Sequence, residues 1–227
     1  MEREQIGDCV LYCGDCRDVL PTLGPVDAVV TDPPYGVGLA YETYDDAREA
    51  YCRSVPVWCA MIQAATQGPI ALSCGVANIH LWPPPAWVLA WHKPNSMRRV
   101  MTGWNTWEPV LLYGKPRGKK TSDCFTVSIV PHLDTGGHPC PKPLGWATEL
   151  LDRLTQPYEV VLDPFAGSFT TGVACVQLGR RFLGIEIEPR YFDIGCRRIE
   201  EACRQLTLFP SPATRAVPRQ LALEVTP

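Results

Sequence analysis

The sequence has no long apolar run and no strong net charge. None of its hydrophobic stretches approaches the roughly 18 to 20 residues that cross a bilayer. The opening MEREQIGDCV has neither the basic nor the apolar segment of a secretory leader. A net charge of −3 does not by itself indicate a nucleic-acid partner. We therefore expect a cytoplasmic protein without membrane contact.

The cysteine pattern indicates free thiols. Eleven cysteines lie along the 227 residues without the spacing of a disulfide framework, as in a reducing compartment. Cys9, Cys13 and Cys16 have a spacing suited to an iron–sulfur cluster, but they fall in and just after a predicted strand. A second group matches no common zinc pattern and comprises Cys124, His132, His138 and Cys140. We expect no metal site.

Short β-rich runs alternate with helical patterns along the chain. Strands are predicted at residues 10–13, 26–31, 70–74, 88–91, 110–113, 160–162 and 182–187, and helices at 45–65, 144–154, 170–178 and 189–206. This alternation predicts an α/β fold with a doubly wound, mostly parallel, seven-stranded sheet and helices on both faces. We expect one domain over residues 1–206, a loop-rich target-recognition insertion at about 114–137, and an extended or disordered Pro-rich tail over 207–227.

Two stretches carry features that a fold alone does not require. In VVTDPPYGVG, residues 29–38, a β-branched run ends in an acid, two prolines and a tyrosine, although one Gly or Pro suffices to end a strand. In residues 160–189 a strand, a Gly-containing turn and a helix precede a strand that ends at Glu186. Glu186 lies nineteen residues after Gly167, which suits a carboxylate accepting both hydroxyls of a ribose. Taken alone, this second stretch is equally typical of a plain βαβ turn with an exposed Glu.

Together the two stretches resemble a known family. DPPY, DPFAGSFTTG and GIEIEP are similar to motifs of S-adenosylmethionine-dependent amino-methyltransferases of DNA, and GDCRDVLPTL, TWEPVLLYGK and HPCPKPLGWATELLDRLT extend the resemblance over roughly residues 7–200. DPPY precedes the cofactor loop, as in the permuted beta group of adenine-N6 and cytosine-N4 enzymes. Methyltransferases of RNA guanine or protein glutamine with a similar signature generally have the opposite order, which argues against them.

The resemblance implies a Rossmann-like methyltransferase sheet and site-specific DNA methylation, typical of restriction–modification in a prokaryote or phage. A methyl group from S-adenosylmethionine would move in line to the N6 amine of an adenine flipped out of the duplex. That amine is a poor nucleophile, so Asp32 and the Pro33 carbonyl would accept its two hydrogens. Pro34 would keep the turn rigid, while Tyr35 would stack on the base.

The same resemblance implies the cofactor site. Glu186 would bind the ribose hydroxyls and Ile187 would pack on the adenine. Asp15 and Cys16 would meet the adenine amino edge. Lys142 would neutralise the methionine carboxylate or brace the loop that does so, with a solvated lysine as the alternative. The other residues of the implied set are Asp32, Asp163, Phe165, Gly167, Ser168, Thr170 and Thr171.

One position departs from the family pattern. The family loop reads Gly-Ser-Gly, and this chain has Phe169 at the last position. A side chain there would hinder left-handed backbone geometry or intrude on the methionine pocket. A catalytically weak or silent cofactor- and DNA-binding protein is therefore one alternative. Cytosine N4 is the other, although that group more often shows Ser-Pro-Pro-Tyr where this chain has Asp32.

Basic residues concentrate between positions 93 and 120, where seven Lys or Arg face one acid. Such a segment is either a solvated loop or a phosphate-facing surface. The resemblance favours DNA contacts from Arg98, Arg99, Lys115, Arg117, Lys119 and Lys120. Many enzymes of the beta group dimerise, so a homodimer is a further expectation.

The segment QLTLF, residues 205–209, resembles the peptide by which bacterial replication and repair proteins dock onto the sliding clamp. Leu208 and Phe209 would fill a hydrophobic cleft and Gln205 a polar subsite. The alternative is that Leu206, Leu208 and Phe209 seal the last helix onto the core. Their burial distinguishes the two interpretations.

Overall fold

The computed structural model describes residues 2–39, 43–101, 103–129 and 141–208, apart from the side chains of residues 207 and 208. The helices are α1 (Cys16–Val19), α2 (Arg48–Ala65), α3 (Leu144–Leu154), α4 (Thr170–Leu178) and α5 (Pro189–Leu208). The strands are β1 (Glu2–Ile6), β2 (Cys9–Cys13), β3 (Ala28–Thr31), β4 (Ile70–Ser73), β5 (Trp87–His92), β6 (Arg99–Val100), β7 (Gly103–Trp104), β8 (Trp107–Tyr113), β9 (Cys124–Thr126), β10 (Val160–Asp163) and β11 (Arg181–Glu186). None of the described helices is long and apolar enough to cross a membrane.

Nine of these strands form one sheet in the order β1-β2-β11-β10-β3-β4-β8-β5-β9, and β6 and β7 pair separately. The strands from β2 to β4 in this order are parallel, whereas β8 runs antiparallel to both β4 and β5. The predicted α/β, mostly parallel sheet is confirmed, with all seven predicted strands present. The predicted strand number was too low because β1 and β9 were missed. β1 is an exposed edge strand of mostly charged residues and β9 has three residues, so neither has an apolar pattern.

Successive side chains of the central strands enter two separate cores. Cys9 and Leu11 pack with α3, α4 and α5 on one face of the sheet. Val10 and Tyr12 pack with α1 and α2 on the other face. This is the period-two alternation of a strand covered on both sides. Cys16 packs in the second core, so Cys9 and Cys16 lie on opposite faces and cannot ligate the same cluster.

The chain reverses its winding between β10 and β3. From β10 it continues through α4 to β11, while from β3 it continues through α2 to β4 on the other side. α4 and α2 cover opposite faces of the sheet. Such a topological switch point opens a crevice at the carboxyl ends of the strands, where ligands bind in doubly wound folds. We refer to this side of the sheet as the carboxyl edge.

Phe169 takes up the left-handed geometry that its side chain was expected to hinder. Its φ is 57° and ψ 38°, directly before α4. The ring is fully buried and meets Phe182 and Phe192 edge-on at centroid distances of 6.1 and 5.9 Å. It packs over Gly195 of α5, where an added Cβ would lie 2.5 Å from the ring. The ring therefore fills the core and does not intrude on the crevice.

The last helix extends through most of the QLTLF segment. Gln205 is exposed, and Leu206 packs partly buried against the core under α5. The side chain of Leu208 and all of Phe209 lie outside the described residues. Clamp docking thus stays a prediction, although residues 205–208 are helical here.

We expect Phe169→Gly to lower the free energy of unfolding by about 2–4 kcal/mol. Loss of a buried phenyl ring costs about 3–5 kcal/mol, and relief of the left-handed backbone returns about 1 kcal/mol. Urea denaturation measures the change. Tyr158 is a matched control, because its φ is 70° but the residue is 48% exposed. Tyr158→Gly should stay within about 1 kcal/mol of the parent protein. Equal stability of Phe169→Gly and the parent would contradict a structural role for the ring.

Candidate active site

Asp32 follows β3 at the carboxyl edge, next to the switch point. The Tyr35 hydroxyl donates to Asp32 Oδ1 over 2.7 Å, and Lys142 Nζ lies 3.0 Å from the same oxygen. Among the described residues, none donates to Asp32 Oδ2. The side chain is 23% exposed. One carboxylate oxygen is thus held by the protein and the other remains open to a ligand.

A second carboxylate completes the surroundings of Lys142. Glu108 Oε1 accepts a hydrogen bond from Lys142 Nζ over 2.9 Å and also contacts the Tyr35 hydroxyl. Glu108 Oε2 accepts from Lys93 Nζ over 3.0 Å. The side chains of Glu108, Lys93 and Lys142 are only 10–13% exposed. We call Asp32, Glu108, Lys93 and Lys142 the charge cluster; it contains two carboxylates and two ammonium groups.

Burial and pairing act in opposite directions on these groups. Burial raises the pKa of Asp32 above its ordinary value, although Lys142 opposes the shift. Burial also acts to raise the pKa of Glu108, but Lys142 and Lys93 outweigh it and lower that pKa to about 2. Burial acts to lower the pKa of Lys142, yet the two carboxylates raise it. Glu108 and Lys142 are therefore firmly charged at neutral pH.

The turn after Tyr35 is held by groups that sequence reasoning missed. Asp46 is buried, and its carboxylate accepts the backbone N–H groups of residues 36, 37 and 39 at 2.8–3.1 Å. The Asn78 side-chain amide donates to the Tyr35 carbonyl over 2.9 Å. Gly36 has a φ of 66°, and a Cβ there would lie 2.7 Å from Tyr51. Only glycine fits this bend, which directs Tyr35 toward Asp32.

The structure brings the predicted ribose ligand to the Gly-containing turn. Glu186 ends β11 at the carboxyl edge, and its Oε2 accepts from Gly167 N over 2.7 Å. Its Oε1 accepts from Glu188 N over 2.9 Å. Burial raises the pKa of Glu186 to about 7. Each of these oxygens keeps a lone pair for a further donor, so the carboxylate can bind ligand hydroxyls.

Several other predicted cofactor residues are tied to the protein itself. Both oxygens of Asp163 accept hydrogen bonds, from Thr31 over 2.7 Å and from Thr171 over 2.8 Å. Burial raises the pKa of Asp163 to about 6. Arg198, which sequence reasoning missed, donates to the Ser168 side chain at 2.8 Å and to Thr170 at 3.2 Å. These hydroxyls brace the turn between β10 and α4.

The adenine-side predictions lie beside Glu186. Asp15 follows β2, the neighbour of β11, and caps α1 by accepting from Arg17 N over 2.8 Å. Its hydrogen bonds with Arg17 lower the pKa of Asp15. Cys16 is buried, Ile187 is half-buried, and Phe165 packs edge-on against a tryptophan of α2. These residues lie on the Glu186 side of the crevice, and their contact with adenine stays a prediction.

The predicted DNA-contacting residues fall on two opposite edges of the sheet. Arg98 and Arg99 are exposed on the β6–β7 hairpin, which follows β5 at the carboxyl edge. Arg117 is paired with Glu159 at 2.9 Å and bonds the carbonyl of Asp27, both of which precede parallel strands. The segment 115–120 follows β8 and therefore lies at the amino ends of the parallel strands, which we call the far edge. The predicted DNA contact of this segment has to be corrected. The two edges are separated by the length of β3, whose four residues span about 13 Å.

Lys119 is similarly engaged, in an ion pair with Asp152 at 2.7 Å. Lys115 and Lys120 are exposed on the same far-edge loop. The structure therefore does not support joint DNA contact by Lys115, Arg117, Lys119 and Lys120 with a base held at Asp32.

His132, His138 and Cys140 lie outside the described residues.

Comparisons with known proteins agree with this arrangement. A family profile, N6_N4_Mtase, described as DNA methylase, matches residues 85–197. The chain is 42% identical over 215 residues to YubD of Escherichia coli K12, covering 85% of this chain and 91% of YubD. It is 45% identical over 65 residues to the DNA adenine methyltransferase YhdJ of Escherichia coli K12, covering 29% of this chain and 22% of YhdJ.

A solved structure shares the fold. The structure of an M1.HpyAVI–SAM complex superposes with a TM-score of 0.66 and 25% identity, covering 83% of this chain and 98% of that one. Four of the curated relatives, YhdJ among them, are matched over less than half of their length. YubD is matched over nearly all of its length. The match to YubD and the family profile show that the chain belongs to the N6/N4 DNA methylase family. The position of DPPY and Glu186 at the same edge of the sheet agrees with this.

Proposed function

We propose that the protein is a site-specific DNA methyltransferase that uses S-adenosylmethionine and acts on the N6 amine of adenine. The observation that carries this proposal is the state of Asp32. Its Oδ1 is engaged by Tyr35 and Lys142, while none of the described residues donates to its Oδ2. An acceptor of this kind suits an exocyclic amine, whose N–H groups donate hydrogen bonds to the protein so that the nitrogen lone pair becomes available for reaction.

The chemistry follows from the weakness of an exocyclic amine. Its lone pair is delocalised into the base, and two acceptors on its hydrogens favour a pyramidal nitrogen with a localised lone pair. Asp32 Oδ2 and the Pro33 carbonyl supply these acceptors, since proline has no competing N–H. S-adenosylmethionine, when bound, supplies a sulfonium methyl group. The amine nitrogen would take this methyl group, with the C–S electron pair left on sulfur, and Asp32 or water would accept one proton from the amine.

The cofactor side fits this assignment by its donor set. Glu186 presents a buried carboxylate at the end of β11, as ribose hydroxyls require. Gly167, with a φ of 53°, lets the turn backbone approach a ligand closely. Phe169 places its ring in the core, so the observation that suggested a silent protein no longer supports that alternative.

Adenine is preferred over cytosine for two reasons. The tetrapeptide begins with Asp32, whereas the cytosine-N4 group more often begins with Ser. YhdJ is named as an adenine methyltransferase. The family name covers both amines, so digestion of methylated DNA to nucleosides and identification of the product base is the deciding measurement. If neither base receives the labelled methyl group, the proposal that the protein is a DNA methyltransferase is refuted.

We expect Asp32→Asn to abolish methyl transfer, with a loss of at least about 100-fold in kcat. The amide would offer a weaker acceptor, while the cofactor contacts at Glu186 are untouched. Transfer of labelled methyl groups to duplex DNA measures the rate, and calorimetry measures cofactor affinity. Asp123→Asn on an exposed loop is the control and should behave like the parent. Near-parental turnover of Asp32→Asn would refute the role of the carboxylate.

We expect Glu186→Ala to weaken S-adenosylmethionine binding by about 1–3 kcal/mol, since a buried hydrogen-bonded contact is lost. In the parent protein, affinity should fall as pH drops through about 7, because ribose hydroxyls donate to the ionised carboxylate. Calorimetry at two pH values measures both effects. Glu201→Ala, on the exposed side of α5, is the control. An unchanged dissociation constant would place the ribose elsewhere.

The β6–β7 hairpin is the proposed duplex-contacting element. We expect Arg98→Ala with Arg99→Ala to weaken DNA binding and to reduce the slope of log K against log salt by about two. The pair Lys115→Ala with Lys120→Ala is matched in charge but lies on the far edge. Fluorescence anisotropy across a salt series compares the two. Equal losses from both pairs would contradict the assignment of DNA to the carboxyl edge.

A further inference from the structure

Glu108 lies in the charge cluster but has no part in binding the amine in the function proposed above. Its side chain is 10% exposed. Glu108 is the second residue of β8 and pairs with Trp91, near the end of β5. One of its oxygens contacts both Lys142 Nζ, at 2.9 Å, and the Tyr35 hydroxyl. The other accepts from Lys93 Nζ over 3.0 Å. Among the described residues, this carboxylate thus contacts two lysines and Tyr35, which is itself a neighbour of Asp32.

A carboxylate buried to this degree is costly unless cations pair with it. Lys93 alone could balance its charge, because that ion pair has 3.0 Å geometry and both side chains are 10% exposed. The second cation is shared: Lys142 Nζ lies 3.0 Å from Asp32 Oδ1 and 2.9 Å from Glu108 Oε1. Lys142 therefore divides its charge and its hydrogen bonds between two acids.

We propose that Glu108, supported by Lys93, is a positioning residue for methyl transfer. It holds the Lys142 ammonium beside Oδ1 of Asp32, and it withdraws part of the Lys142 charge from that acid. Asp32 Oδ2 then stays a strong and unobstructed acceptor for the target amine. This inference rests on the proposed function.

The charge of Glu108 has a definite sign of effect on Asp32. The titratable or charged groups that face Asp32 are Tyr35, Lys142 and Glu108, with Lys93 behind Glu108 and with Asp163 and Cys74 as further neighbours. Without the negative charge of Glu108, Lys142 pairs with Asp32 alone, which favours the ionised form of Asp32. Removing the positive charge of Lys93 lets Glu108 attract Lys142 more strongly, which disfavours the ionised acid.

The test uses the full-length protein, labelled S-adenosylmethionine and a DNA duplex, with single-turnover rates measured from about pH 5 to about pH 9. For Glu108→Gln we expect kcat to fall by about 10- to 100-fold, as for other residues that orient a catalytic group. The KM for DNA should be unchanged, and the acid limb of the pH profile should move to lower pH. For Lys93→Met the acid limb should move to higher pH.

The acid limb is expected to shift in opposite directions in the two variants. A loss of protein stability alone would not produce such opposite shifts. Glu159→Gln and Lys119→Met remove charges from far-edge ion pairs and serve as matched controls, which should leave the profile unmoved. If Glu108→Gln has the parental rate and pH profile, or if its rate falls with the acid limb unmoved, the inference is overturned. Should Glu108→Gln fail to fold, the shift in Lys93→Met decides by itself. Absence of methyl transfer by the parent protein would overturn the proposed function instead.

Discussion

The structure of the site depends on one constraint: the proposed function needs Asp32 as an ionised acceptor, although most of its side chain is removed from water. Burial alone raises its pKa, and an isolated buried carboxylate would become protonated and lose its value as an acceptor. Lys142 opposes this, but a lysine that paired with Asp32 alone would occupy the acceptor. The charge cluster resolves the conflict, because Glu108 takes a share of Lys142 and Lys93 compensates the charge of Glu108.

The mixed sheet is what allows this cluster to form. The parallel strands place their carboxyl ends, including Asp32 and Glu186, on one edge. β8 runs the other way, so its first residues reach the same edge, and Val110 of β8 pairs with Ser73 of β4. Glu108 therefore meets Tyr35 although 73 residues separate them in the chain. A wholly parallel sheet would place the start of that strand on the opposite edge.

Sequence reasoning could predict what is encoded locally. The seven central strands are apolar runs, and the alternation of their buried side chains fills both cores. The positions of Asp32 and Glu186 followed from motifs that each end a strand. Glu108, Asp46 and Arg198 were missed, because their partners depend on the order of strands in the sheet. The segment 115–120 was predicted to contact DNA from its local excess of positive charge. Local charge does not reveal at which edge of the sheet a segment lies, because that depends on the order and direction of the strands.

Phe169 shows how a departure from a family pattern can leave a site in place. The left-handed conformation costs a phenylalanine about 1 kcal/mol or more, but burial of the ring between Phe182, Phe192 and Gly195 offsets that cost. The accommodation needs a glycine on α5, since a Cβ at position 195 would overlap the ring. On the crevice side, Gly167 still donates to Glu186 over 2.7 Å. The substitution thus moves the stabilisation of the turn from backbone freedom to core packing, and the surface that faces a ligand keeps its glycine and its carboxylate.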